Sequence, residues 1–519
     1  MAGPRGTQSV WTAEVPFPHF PIVDDLGTVD VIVVGGGITG LTTALLLQRS
    51  GLTTALIEQA RIGSGETTRS SAHLTEYPDT GYEQIVADFG IAGARAVVES
   101  TREALRLIET LAQEVPCDFE RVSGFLYTEH ARERTSLQGE LECAAEVGVF
   151  ARFLERAPLP YQTAGAIEFP QQAQFHPAKY LAGLVRLYAE AGGVISEQSH
   201  VRGIDEDGRC RVRTDRAVAY ARHVVAVTDA PIVGGTLLDT KLAANRSYVL
   251  ALRVADAAPQ GLFWDRDDPY HYVRSAITND GPIVIVGGED HRTGIAEATA
   301  AVQRLETFAR DRFPVLEIDR EWSGQIMEAM DGLPYIGPRE PGSQVYLATG
   351  YAGNGLTFGT VAAQLLCNTI RGVGSPYAEW YAPTRTMAAR RWAKYAVQNL
   401  PAAWTLVTDI LPQLRGESID DLKPGEGRVV RLKGQKVAAS RDLTGTLHLV
   451  SATCTHLGCD VAWNPLEQSW DCPCHGSRYS PAGHVMHGPA TSPLASREVP
   501  NPREGRAGNG TPRTPEAQP

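Results

Sequence analysis

Apolar and polar positions divide the chain into two textures. Residues 1–27 are proline-rich and aperiodic, with VPFPHFP at 15–21, and read as an extended arm on the surface. The run VDVIVV at 29–34 is continuous and β-branched, as a buried parallel strand requires. It leads into GGGITG at 35–40, an apolar helix over 41–48 closed by Gly51, and a short strand over 53–57 that ends at Glu58. That is a β-turn-α-β unit. Helical periodicity follows at 92–115 and 178–191, then β-rich runs at 224–227, 248–254, 270–274 and 283–286. DGLPYIGP at 331–338, a strand at 344–349 and GYAGNGLTFG lead into a helix over 360–370. From Asp421 the pattern becomes short strands and turns, an all-β texture. The expected divisions are the arm 1–27, an α/β body 28–376, a helical linker 377–416, a β domain 417–500 and a disordered tail 501–519 rich in Pro, Gly and Arg.

A length of 519 residues fits two or three domains. The net charge of −12 argues against nucleic acid or an anionic membrane as the main partner, since both need a basic face. No apolar run reaches the ~18 residues of a spanning helix. The most apolar stretch, 31–47, is interrupted by four glycines and three threonines. MAGPRGTQSVW shows no secretion pattern, so the expected compartment is the cytoplasm. Of eight cysteines, Cys117, Cys143, Cys210 and Cys367 are scattered and read as single buried thiols. Cys454, Cys459, Cys472 and Cys474 fall in one short window, which points to metal before disulfides.

That window reads Cys454-Thr-His456-Leu-Gly-Cys459, then Cys472-Pro-Cys474-His475-Gly-Ser477-Arg-Tyr479. Two cysteines and two histidines could hold zinc tetrahedrally or a [2Fe–2S] cluster with thiolates on one iron and imidazoles on the other. The single-residue gap of Cys454-x-His456 is rare in zinc fingers, which favours the cluster. CTHLGC…CPCHGSRY closely resembles the respiratory-type Rieske domain, over about the last hundred residues. The resemblance implies that Cys454 and Cys472 bind one iron and His456 and His475 the other. It implies a Cys459–Cys474 disulfide, and hydrogen bonds from Ser477 and Tyr479 that raise the potential. His484 and His487 read as loop surface. A Rieske oxygenase would carry this domain first and a close histidine pair behind it, and neither holds here.

Gly35-x-Gly37-x-x-Gly40 follows a strand and opens a helix, the context that a dinucleotide fingerprint requires. Gly35 allows the tight turn, Gly37 the approach of pyrophosphate to the backbone beside Ile38 and Thr39, and Gly40 the helix–strand packing. Glu58 would accept from the adenosine ribose. The Gly/Ser/Thr-rich loop after it, with Gln59, Arg61, Thr67, Thr68, Ser70, Ser71 and His73, would serve a diphosphate and ribityl chain, which favours FAD over NAD. Thr228 ends a strand that resembles the one returning to the nucleotide in two-domain flavoproteins. Gly353, Asn354, Gly355, Leu356 and Thr357 resemble the turn against the isoalloxazine, where a helix N-terminus faces the ring.

Together these resemble the D-amino-acid oxidase/glycine oxidase superfamily over about 29–370, and nearly the whole chain resembles bacterial FAD-dependent oxidoreductases with a C-terminal Rieske domain, including Ser9-x-Trp11 and Ser-Ala-His-Leu-Thr at 71–75. The implied fold class is α/β. A Rossmann-like FAD-binding domain interleaves with a mixed-sheet substrate domain, and a small all-β Rieske domain follows. His73 resembles the histidine that sarcosine and dimethylglycine dehydrogenases link to the flavin; a hydrogen-bonded histidine near the flavin is the other reading.

The superfamily removes hydride from a carbon next to an amine nitrogen. Tyr270 and Tyr272 are candidates to orient the amine, Arg274 to pair with a substrate carboxylate, and Tyr248 as a further pocket group; packing roles are the alternative. A two-electron flavin beside a one-electron cluster implies an electron-transferring dehydrogenase for an amine or amino-acid-like small molecule, with an external acceptor such as a quinone, cytochrome or redox protein. The alternatives are an O2-using oxidase with a structural or sensing cluster, and a reductase fed by a partner protein.

Overall fold

The computed structural model describes residues 8–295, 298–386, 391, 419–432 and 434–497. The expected first strand is Thr28–Val34, with Val31, Ile32 and Val33 wholly buried because both faces of its sheet are covered. The sheet runs Tyr335–Pro338, Val345–Thr349, Val218–Ala226, Thr28–Val34, Thr54–Ile57, Val194–Ser196. All neighbours are parallel except the first pair. Helices Ile38–Arg49 and Gly355–Ile370 bury Leu41, Leu45, Val361 and Leu365 in one core with Val31 and Val33.

The second sheet is mixed and has nine strands. Leu242–Val254 pairs with Val315–Ala329 on one side and Gly281–Arg292 on the other. His271–Thr278, Leu262–Trp264, Glu120–Thr128, Gly165–Gln174 and His73–Leu74 follow in order. Strand alternation splits the apolar residues between two faces. Leu250 and Leu252 meet Leu305 and Phe308 of helix Ala298–Arg312. Val249 and Ala251 meet Trp322, Val10 and Trp11.

This corrects the reading of 1–27 as a surface arm. Val10–Glu14 is a helix capped by Ser9. Trp11 is 1% exposed and its Nε1 donates to the Ser70 carbonyl at 2.8 Å. Val10 and Trp11 therefore cover one face of the nine-stranded sheet.

The C-terminal β domain consists of two antiparallel sheets, one of three strands (Gly427–Leu432, Gln435–Arg441, Leu447–Ser451) and one of four (Ala462–Asn464, Ser469–Asp471, Arg478–Tyr479, Val485–His487). Trp470 and Tyr479 fill its core. Of the expected linker 377–416, Ala378–Tyr381 is helical, and residues 387–390 and 392–416 lie outside the described residues, as does the expected tail 501–519. Cys117, Cys210 and Cys367 are buried thiols; Cys143 is half-buried. No helix among the described residues is long and apolar enough to cross a membrane.

Candidate functional site

The glycine-rich turn is held by close approaches. Gly35 has φ +111°, and a Cβ there would lie 2.4 Å from the Val227 carbonyl oxygen. A Cβ on Gly40 would lie 1.9 Å from the Gly35 carbonyl oxygen, so Gly40 serves packing and does not line the cavity. Thr67 Oγ1 accepts from the Ile38 N–H at 3.0 Å. Glu58 accepts from the Gly36 and Ala60 N–H groups at 2.8 and 2.9 Å. Burial pushes its carboxyl up, opposed by those bonds.

From this turn a cavity of about 350 Å3 extends to the substrate sheet, within the range of ligand pockets. Gly35, Gly37, Ile38, Thr39, Glu58, Gln59 and Thr67 line one end. Ser70, Ser71, His73 and Thr228 line it as well, as do Asn354, Gly355, Leu356 and Gly353, the last beside Tyr270. Arg61, Thr68 and Thr357 lie off the cavity. Arg61 meets His19 Nε2 at 2.7 Å, Thr68 Oγ1 donates to the Gly63 carbonyl at 2.7 Å, and Thr357 is buried in its own helix. Ala72, Asp229 and Ala352 take φ of 63°, 63° and 50° around the cavity. Left-handed backbone at non-glycine residues gathers at functional sites. A backbone cradle at a helix N-terminus, a ribose-type carboxylate and a long cavity fit FAD, with Gly35, Gly37, Glu58 and Thr67 placed to hold its dinucleotide part.

At the far end Tyr270 and Tyr272 line the cavity as expected, their ring centroids 5.9 Å apart. His73 Nδ1 meets Ser71 Oγ at 2.9 Å, while its Nε2 is buried without a partner. Burial, and then Arg274, push its pKa down to about 3, so the ring is neutral. Two candidates need correcting. The Arg274 guanidinium donates to the carbonyls of Ser71, Ala72 and Phe175 and lies over the Trp11 ring at 5.4 Å, so it is not available to a substrate carboxylate. Tyr248 lies off the cavity, its hydroxyl 3.0 Å from His291 Nε2. Trp264, Asp79 and Tyr77 also line the cavity, and no sequence motif marked them.

The cysteine–histidine loops converge as the motif requires. Cys454 and Cys472 form no disulfide, whereas Cys459 and Cys474 form one. The Tyr479 hydroxyl is 3.1 Å from Cys454 Sγ, and Ser477 Oγ accepts from the Ala490 N–H at 3.1 Å. The rings of His456 and His475 are 5.1 Å apart. His475 Nδ1 is buried and unpartnered, an orphan that ligation would satisfy. His456 Nε2 is 3.1 Å from Asp239 Oδ2, which leaves its Nδ1 for metal. Two thiols and two imidazole nitrogens thus fit a [2Fe–2S] cluster.

These loops press on the flavin body. Arg292 donates to the carbonyls of Pro473 and Cys474 at 3.0 and 3.2 Å. Gln325 Nε2 donates to the Gly476 carbonyl at 3.0 Å and meets His487 Nδ1 at 3.1 Å. Gly476 must be small, because a Cβ there would lie 2.3 Å from that of Ala244. Glu467 accepts from Arg246, Ser323 and Arg478. His484 is exposed, but His487 is not loop surface: it lines the flavin cavity and pairs with Asp229 at 3.2 Å.

A dinucleotide cradle, an interleaved substrate sheet and a cluster-binding domain define an FAD-dependent oxidoreductase with a Rieske centre. Residues 30–369 match the profile of the FAD dependent oxidoreductase (DAO) family, and residues 416–498 that of the Rieske [2Fe-2S] domain. The chain belongs to that oxidoreductase family. The Bacillus subtilis protein YhfW, named for a Rieske 2Fe-2S centre, is 32% identical over 493 residues, 94% of this chain and 97% of its own. Gamma-glutamylputrescine oxidoreductase of Escherichia coli is 23% identical over 385 residues, 70% of this chain and 89% of its own. Glycine oxidase from Geobacillus kaustophilus shares the fold, with a TM-score of 0.60 at 18% identity, over 69% of this chain and 99% of its own.

Proposed function

We propose that this enzyme is a dehydrogenase that oxidises an amine or amino-acid-like substrate at a C–N bond, passing electrons singly from FAD to the Rieske cluster and on to an external acceptor. When bound, FAD accepts the hydride and the cluster accepts one electron at a time. The observation that carries the reading is the seam between domains. His487 of the Rieske domain forms part of the flavin cavity wall, and Gln325 spans from that wall to the carbonyl next to His475. Such a seam brings the cluster loops up to the flavin cavity wall, which supports a relay over an oxidase with a structural or sensing cluster.

The chain's own groups do the rest. Tyr270 and Tyr272 orient the substrate nitrogen, Trp264 and Tyr77 exclude water with stacked rings 5.6 Å apart, and neutral His73 presents a ring nitrogen without a charge. The names of the relatives, an oxidoreductase for an acylated diamine and an oxidase for glycine, agree with an amine nitrogen as the point of attack. A cytoplasmic location belongs to this reading and suits the unpaired cysteines Cys117, Cys143, Cys210 and Cys367.

Anaerobic mixing of purified protein with amines tests it. Flavin absorbance should fall first, and the electron-paramagnetic signal of reduced cluster should rise next. A cluster that stays oxidised while flavin cycles with O2 would refute the relay.

A further inference from the structure

Part of the flavin cavity wall comes from the other domain. Arg478, Met486, His487, Gly488 and Ala490 all line the cavity, the last four on or just after strand Val485–His487. This stretch is fastened to several separate segments of the flavin body. Gln59, the residue after the ribose-type carboxylate Glu58, donates from Nε2 to the Met486 carbonyl at 3.1 Å. Gln325, on strand Val315–Ala329 of the nine-stranded sheet, meets His487 Nδ1 at 3.1 Å through its Nε2. His487 Nε2 pairs with Asp229 at 3.2 Å, and the Arg202 guanidinium donates to the Thr491 carbonyl. A Cβ on Gly488 would lie 3.4 Å from the Ala230 carbonyl oxygen, so the backbone runs close there. Gln59 and Gln325 both line the cavity as well. Residues 486–491 thus cross from the nucleotide segment to the substrate segment as a strap.

The same strap is built on the cluster loops. The Ala490 N–H donates to Ser477 Oγ at 3.1 Å, two residues beyond His475. Thr455, between Cys454 and His456, donates from Oγ1 to the Ser492 carbonyl at 2.6 Å. Strand Val485–His487 pairs with Arg478–Tyr479, which continues the second loop. Gln325, which holds His487, also donates to the Gly476 carbonyl at 3.0 Å. A metal site is seldom preformed without its metal, so binding energy there is also energy for ordering the loops that carry the ligands. Whatever orders both cluster loops orders the strap between them and the flavin cavity.

We infer that the strap 486–492 is the closing wall of the FAD site and makes the two cofactors interdependent, so that a loaded cluster tightens FAD and bound FAD tightens the cluster. Such coupling is reciprocal, because each ligand shifts the other's binding free energy equally. The inference concerns loading alone. It goes beyond the dehydrogenase reading and stands or falls without it.

The test uses the full-length protein without substrate. FAD is titrated into flavin-depleted, cluster-loaded protein through the quenching of flavin fluorescence. Cluster retention is read from the visible band that survives a fixed challenge with an iron chelator. Glu467→Gln and Arg202→Leu each loosen the seam from outside the cavity, and each should weaken FAD by about tenfold, the weight of one hydrogen bond to a charged group. Saturating FAD should protect the cluster from the chelator. Cys454→Ser, which removes a cluster ligand, should weaken FAD at least as much; if it does not fold, the two seam variants and the chelator challenge still decide. Leu305→Ala, in the buried face of helix Ala298–Arg312 and off the cavity, loosens the fold elsewhere and should leave FAD affinity unchanged. Unchanged FAD affinity in both seam variants, cluster loss indifferent to FAD, or an equal weakening by Leu305→Ala overturns the inference.

Discussion

Glu467 is the residue on which docking of the Rieske domain should depend most. Its carboxylate, 10% exposed, accepts from Arg246 and Ser323 of the flavin body and from Arg478 of its own domain, with Arg69 at 3.8 Å. Burial alone would push the carboxyl up, but Arg246, Arg478 and Arg69 bring it from the ordinary 4.5 down to about 2. At 1.36 kcal/mol per unit, that depression corresponds to roughly 3 kcal/mol of stability. Breaking a buried pair from one side costs about 3–5 kcal/mol by a separate argument, since the other charge stays buried alone. The two routes agree. Glu467→Gln keeps the shape and removes the charge, leaving Arg246, which already has Nε and Nη1 unpartnered, without its anion. The assay is equilibrium denaturation of the holo-protein, followed through the visible band of the cluster. Near pH 7 the variant should lose about 3 kcal/mol. Because the folded pKa is depressed, this stability is fully present above the unfolded value and is lost as pH falls through the folded one. The gap between the two proteins should therefore stay constant from about pH 8 to about pH 5 and close between about 4.5 and about 2. Arg246→Met in the Glu467→Gln background should recover part of the loss, because it removes the stranded charge. A loss under about 1 kcal/mol, the range of an exposed pair, would show that Glu467 is solvated and that the buried clamp does not exist.

Three further outcomes follow from the same seam and from the nucleotide turn. Asp239→Asn removes an anion 3.1 Å from His456 Nε2, so the cluster should become easier to reduce; a potentiometric titration followed by electron paramagnetic resonance that finds no rise in potential would refute that contact. Burial works against a charged His487, but Asp229 outweighs it and raises the pKa, with Glu66 adding to the rise and Arg478 opposing it. The pair's contribution of about 2 kcal/mol is thus present below the ordinary histidine value and lost as pH rises through the raised one, and Asp229→Asn should flatten that dependence in thermal melts. Gly40→Ala puts a methyl 1.9 Å from the Gly35 carbonyl, so the variant should purify with little flavin and be less stable by about 1–3 kcal/mol; a normal ratio of flavin to protein absorbance would contradict the packing argument.

What the sequence made legible was whatever demands a particular residue type at fixed local spacing. Gly35, Gly37 and Gly40 leave no room for a side chain or meet the nucleotide at close range, and the cluster ligands must be thiols and imidazoles, so both sites could be read directly. The contacts that join the sites involve ordinary residues far apart in the chain. Asp239 and His456 are separated by 217 positions, and Arg246 and Glu467 by 221. No periodicity encodes such a pair. Arg274 shows a subtler limit. Arg274 was a candidate because a guanidinium suits a substrate carboxylate and because it lies close in sequence to Tyr270 and Tyr272. Two residues along a strand is nearly 7 Å, enough to carry Arg274 past the cavity and beneath the Ser71–Ala72 carbonyls, where its charge holds the loop and leaves substrate recognition to other groups. The arm failed for a related reason: a five-residue helix gives no measurable period, and only the burial of Trp11 reveals its purpose. His487 joins both lessons. It lay outside the cluster motif and read as loop surface, because its role depends on Asp229, which a positive φ turns toward the Rieske domain at the end of the returning strand. The cluster loops therefore meet the flavin cavity through side chains that neither domain's motif contains. The one-electron exit proposed for this enzyme is thus a property of how the two domains dock and cannot be assigned to either alone.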